Sequence, residues 1–215
     1  MAAAPKSNHF VAVHGVGHGA WVYYKLKPRV EAAGYQFTPV SLAAAGNNGK
    51  KLEEVRSLHD YTTPLLEVLA AVPEGEKVIL IGHSGGGYAA AYGMEKCSEK
   101  ISVAVFLNAL MPDTKNKPSY VIDEALGHLS VRPGSLFMED LATMDKFSDE
   151  KFGSIPRVYV IAAEDKTIPP SFQKWQIENN PVVEVKEIKG ADHMPMFTQP
   201  DALCKCLVEI AEKHG

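Results

Sequence analysis

The chain has 215 residues, 46% of them hydrophobic and 22% charged, which is enough to bury one sizeable core in a single domain. Twenty-two Lys and Arg stand against 26 Asp and Glu, and the net charge of −4 excludes a general electrostatic attraction to nucleic acid or an anionic membrane. No stretch approaches the ~20 apolar residues of a membrane span, and residues 1–8 hold no long apolar leader, so a cytoplasmic protein is expected.

In chain order, residues 9–14 (HFVAVH) read as a buried strand. Residues 21–33 read as a helix stopped at Gly34, with Pro28 expected to kink it. A second strand is predicted over 36–42, followed by a loop through Gly46-Asn47-Asn48-Gly49. Residues 58–72 form a long helical pattern that Pro73-Glu74-Gly75 ends. Then come an apolar run at 78–81, a small-residue helix, and a strand over 102–107. Further strands are predicted at 157–163 and 183–188, and a last helix from Pro200 to about Lys213. About six strands alternating with helices, apolar on both faces, imply a mostly parallel sheet covered on both sides. No repeat or interdomain linker interrupts it. Residues 111–152 differ, carrying Pro112, Pro118, Gly127 and Pro133 and one convincing helix, Ser135 to about Phe147. They read as an excursion above the carboxyl edge of the sheet.

The chemistry concentrates where the third strand turns into a helix. Residues 78–93 are VILIGHSGGGYAAAYG, so Gly82-His83-Ser84-Gly85-Gly86 is a G-x-S-x-G between a buried strand and a helix. Such a turn displays its serine only if the backbone is strained and the flanking residues lack bulk. The helix start also directs N–H groups and a positive dipole end at a developing oxyanion. A serine hydroxyl is inert at neutral pH without a base. The expected order is Ser, then Asp or Glu, then His, each after a later strand. Asp165 follows the strand at 157–163 and is assigned as orienting acid, with Glu164 the neighbouring competitor. His193 follows the strand at 183–188 and is assigned as general base, with Asp192 shaping its loop. His9, His59, His128 and His214 read as surface or packing residues. His83 is expected to point away from the nucleophile and pack under it.

The first strand ends in HGVGHG, residues 14–19. This loop can lend one backbone N–H to an oxyanion hole, with the second from the residue after the serine, which pairs Val16 with Gly85. It fails the G-x-G-x-x-G dinucleotide pattern, since residues 15, 17 and 20 are Gly, Gly and Ala. His18 either lines the substrate pocket or bonds the loop. Cys97, Cys204 and Cys206 have no metal or redox spacing and read as reduced thiols.

VAVHGVGHGAWVYYKLKP, EKVILIGHSGGG, VAVFLNALMPD, RPGSLFMEDL, EDKTIP, FQKWQIEN and EIKGADHMPM resemble the plant methylesterase and hydroxynitrile lyase family of α/β-hydrolases. The resemblance spans about residues 9–212 and implies an α/β-hydrolase fold without metal or cofactor. It places the triad on Ser84, Asp165 and His193. The family's lyases tend to carry Thr where Gly15 stands and Lys where Met194 stands, so this chain resembles the esterase branch, with Gly15, His18 and Met194 lining the pocket. The implied activity is hydrolysis of methyl esters of small plant metabolites or hormones. Two alternatives stay open: a small-carboxylic-acid-binding protein, and an esterase whose β-keto acid product loses carbon dioxide. Family members are longer where Thr114–Val131 stands, so residues 111–152 are expected to form a shortened cap on one domain, 1–215. Apolar surface bared by that shortening would let two copies pair as a homodimer.

Overall fold

The computed structural model describes residues 7–129 and 138–215. Its centre is a six-stranded sheet built from β1 (His9–Val13), β2 (Gln36–Val40), β3 (Val78–His83), β4 (Ile101–Leu107), β5 (Arg157–Ala162) and β6 (Glu184–Ile188). The spatial order is β2-β1-β3-β4-β5-β6, and each neighbouring pair is parallel. Parallel strands need long crossovers, and these carry α1 (Leu26–Ala32), α2 (Leu58–Ala70), α3 (Gly86–Lys96), α4 (Tyr120–Leu129), α5 (Met138–Thr143) and α6 (Pro170–Asn179), while α7 (Pro195–Thr198) and α8 (Pro200–His214) follow the last strand.

Alternation along the strands divides the core into two layers. Val11 and Val13 join Leu80, Phe106 and Tyr159 beneath α2 and α3, whereas Phe10 and Ala12 join Ile79, Val105 and Val160 beneath α1 and α8. The inner strands β3 and β4 are buried almost throughout, as strands covered on both faces must be. The edge strand β6 instead alternates, with Glu184, Lys186 and Ile188 the more buried positions, so expecting it to be apolar on both faces is corrected.

Three helical readings also need correction. The helix expected over 21–33 divides into a 3-10 turn, Ala20–Tyr23, and α1. Pro28 lies in the first turn of α1, where its missing N–H removes no intrahelical bond, so it starts the helix and does not kink it. The excursion contains α4, whose Gly127 masks a helical pattern of Val121 and Ala125 packed on Ile168 and Phe172 of the β5–α6 region. Finally, α5 ends at Thr143 and not near Phe147, while the expected start at Ser135 lies outside the described residues. The α6 crossover buries Gln173 and Gln176, polar positions that hide it from a search for apolar periodicity.

The excursion is tied to the body by its own polar atoms. Asp140 on α5 accepts the Leu58 N–H at 2.7 Å, at the start of α2, where Ser57 and Asp60 form a reciprocal capping box. Glu95 of α3 accepts from the Ser148 N–H and hydroxyl, each at 3.0 Å. No helix among the described residues is long and apolar enough to cross a membrane.

Candidate active site

Four neighbouring strands deliver four residues to one edge. Ser84 follows β3, Asn108 follows β4, Asp165 lies just beyond β5, and His193 lies in the loop after β6. Ser84 has φ of 53°, the left-handed region that side chains rarely adopt, and the turn around it closes tightly. A Cβ on Gly86 would meet the His14 carbonyl oxygen at 2.4 Å, and one on Gly82 would meet Ala90 Cβ at 2.8 Å. Bulk at either flank would therefore push the serine out of place.

Ser84 Oγ lies 3.0 Å from His193 Nε2, and His193 Nδ1 donates to Asp165 Oδ2 at 2.8 Å. Asp165 is fully buried in its side chain, while His193 is 20% exposed, so only the serine end of the chain of bonds meets solvent. The carboxylate is saturated. Its Oδ1 accepts the Thr167 and Ile168 N–H groups at 2.7 and 2.9 Å, and its Oδ2 accepts His193 and the Asn108 amide, each at 2.8 Å. Burial alone would raise the pKa of Asp165, but the bonds from His193, Ile168 and Asn108 outweigh it and hold the group below the usual carboxylate range. Glu164, the competing acid, is exposed, and its N–H donates to the Ala191 carbonyl. Asp192 accepts the Met194 N–H and the Thr198 hydroxyl, which shapes the loop carrying His193.

The loop after β1 runs across the face of the turn. A Cβ on Gly85 would lie 2.5 Å from Val16 Cγ2 and 3.7 Å from Val16 N, so these two backbone segments flank the space beside Ser84. Two histidines hold the loop. His14 is fully buried; its Nδ1–H donates to the Gly15 carbonyl at 2.8 Å, and its Nε2 accepts the Leu42 N–H at 3.1 Å. Desolvation lowers its pKa and keeps it neutral, the state that both bonds require. His18 donates from Nδ1 to the Val16 carbonyl at 2.8 Å, the loop-bonding arrangement of its two alternatives. Gly15 is buried, and a Cβ there would sit 2.9 Å from Ser84 Cβ and 3.3 Å from Ser84 Oγ. Met194 is half-buried beside His193, and its carbonyl accepts the Phe197 and Thr198 N–H groups of α7 at 2.8 and 3.2 Å.

His83 does more than fill space. Its ring stands 5.1 Å from that of His193, centre to centre, and its Nε2–H donates to the His193 carbonyl at 2.8 Å. The ring therefore braces the loop that carries His193, beyond packing under the turn. Its Nδ1 is buried without a partner. Desolvation first, then proximity to His193, pushes its pKa down to about 3. His9, His59 and His214 bond Thr38, Tyr92 and Glu184, away from this edge, and the His128 side chain lies outside the described residues. Asn108 escaped the sequence reading. Its one signal is position: a polar residue at the carboxyl end of a buried strand next to the serine strand. No group of three or more His, Cys, Asp or Glu among the described residues is arranged to hold a metal ion.

The model of the alpha/beta hydrolase family matches residues 10–205. Norfluorocurarine synthase 1 of Strychnos sp is 44% identical, with 97% of each chain covered. Their alignment runs over 257 positions, more than the 215 residues here, so that relative carries chain with no counterpart in this protein. Methylesterase 1 of Arabidopsis thaliana is 40% identical, with 99% of each chain covered. The crystal structure of polyneuridine aldehyde esterase superposes with a TM-score of 0.91 at 40% identity, covering 96% of this chain and 100% of that one.

Proposed function

The chain belongs to the plant methylesterase family of α/β-hydrolases, and from that premise we propose that it is a serine carboxylesterase acting on methyl esters of small plant metabolites or hormones. The observation that carries this reading is the unbroken chain of bonds from Asp165 through His193 to Ser84. Ser84 Oγ attacks the ester carbonyl carbon while His193 Nε2 takes the hydroxyl proton. The negative oxygen that forms is held by the N–H groups of Val16 and Gly85. When the tetrahedral intermediate collapses, the C–O bond to methoxide breaks, and His193 returns the proton so that methanol leaves. Water then attacks the acyl-enzyme and gives a proton to His193. The second collapse restores Ser84 and releases the carboxylic acid. Throughout, Asp165 fixes the imidazole tautomer and balances the imidazolium.

Gly15 and Met194 support hydrolysis over cyanohydrin cleavage, since neither supplies the threonine or lysine of the family's lyases. We read residues 111–152 as a shortened cap on a single domain. Three unpaired cysteines fit a reducing, cytoplasmic setting. Hydrolysis of p-nitrophenyl acetate and of a panel of aryl and alkyl methyl esters tests the reading. Ser84→Ala is expected to lower kcat by roughly 10³-fold or more. Equal rates for the two proteins would overturn it.

A further inference from the structure

Asn108 is fully buried and sits where β4 ends, with its own N–H bonded to the Val160 carbonyl at 2.8 Å. Its φ of 32° turns the chain into the left-handed region, which asparagine tolerates better than most residues. The side-chain amide then reaches both partners of the serine at once. Nδ2 lies 2.8 Å from Asp165 Oδ2 and 3.1 Å from the His193 carbonyl oxygen, one amide hydrogen for each. The 3.3 Å separation from His193 Nδ1 is a contact between two donors that share the same Asp165 oxygen. A flipped amide would set its oxygen against two acceptors, so the orientation is determined by the partners. The price is that Asn108 Oδ1 is buried without a partner. A residue kept there for packing alone would be apolar.

We propose that Asn108 is a positioning residue of this site: its amide ties the acid to the base-bearing loop, setting where the imidazole stands against Ser84 and sharing the negative charge that the imidazole faces. The inference rests on the esterase reading. Together with the His83 ring, it gives the His193 carbonyl two donors from two different strands. The loop is thereby held from beneath while the imidazole edge stays open to substrate.

Charge sharing gives a readout that mere support would not. With the amide removed, Asp165 Oδ2 concentrates its charge on the imidazole, so the imidazolium is favoured and the acid limb of kcat/KM moves to higher pH. The test compares wild type with Asn108→Leu, which keeps the branched outline and loses both donors, and with Asn108→Ser, which is smaller and easier to accommodate. Two probes are used: p-nitrophenyl acetate turnover across pH, and the rate at which diisopropyl fluorophosphate labels Ser84, which needs no knowledge of the natural substrate. For whichever variant folds, kcat and labelling are expected to fall by about 10- to 100-fold, with KM within about twofold and the acid limb raised by roughly half a unit or more. A folded variant with wild-type kcat, labelling rate and acid limb would overturn the proposal and leave the esterase reading standing. A wild-type protein that neither turns over ester nor is labelled at Ser84 would instead overturn the esterase reading itself.

Discussion

His83 makes the stability of this protein depend on pH in a way that can be worked out from its surroundings. Its Nε2–H is committed to the His193 carbonyl, so a second proton would sit on Nδ1, buried with no acceptor among the described residues and beside another imidazole. Burial chiefly, and His193 next, push its pKa down to about 3, so the native ring stays neutral throughout the mildly acid range. In the unfolded chain the same ring titrates at ~6.5. Between those values the unfolded state binds a proton that the native state refuses, so stability falls as pH falls from ~6.5 toward 3. At pH 5 the gap is roughly 1.5 units below the unfolded value, and at ~1.4 kcal/mol per unit the loss is about 2 kcal/mol. This result does not depend on the folded value as long as it lies well below 5. Buried His14, neutral for a similar reason, adds to the wild-type loss but is common to both proteins compared. The perturbation is His83→Gln, which keeps an amide donor for the His193 carbonyl and cannot titrate. Urea midpoints would be measured at pH 7.5 and pH 5. For a denaturant slope of ~2–3 kcal/mol/M, the variant's midpoint should fall by about 0.7–1 M less than that of wild type. Parallel falls in the two proteins would refute the reasoning.

Two smaller perturbations test other parts of the structure. Gly15→Ala puts a Cβ 2.9 Å from Ser84 Cβ, so the serine must shift, and kcat for p-nitrophenyl acetate should drop by roughly 10- to 100-fold; an unchanged kcat would show that the loop can move aside. Asp140→Ala removes the carboxylate that caps α2 from the excursion, which should cost about 1 kcal/mol and lower the melting temperature by ~2–4 °C, read by circular dichroism.

The parts of the site legible in the sequence are those where chemistry dictates residue type at a strand end. Ser84 announced itself because a left-handed serine needs room at Gly82 and Gly86, and Asp165 and His193 because each follows a run of strand residues. Asn108 carries no such pattern. An amide that works by holding two other side chains can be recognised only once β4 lies between β3 and β5. The bond from His83 to the His193 carbonyl was hidden for a related reason, since strand alternation places the ring but says nothing about a loop arriving from residue 193. In the fold, α4 and α6 went unread because Gly127 interrupts one and buried glutamines replace apolar residues in the other. Both are paid back by tertiary contacts that periodicity does not encode. Pro28 was read as an interruption because its place within the helix depends on where the helix begins.

The strands from β3 to β6 are added to the sheet in chain order, each on the outer side of the one before. Ser84 and His193 are 109 residues apart. At ~5–20 residues per second, a ribosome delivers the serine roughly 5–20 s before the histidine that bonds it. For that interval the growing chain carries Ser84 without the imidazole that bonds it in the finished fold. The bond between them can form only after the last strand, because His193 lies in the loop beyond β6.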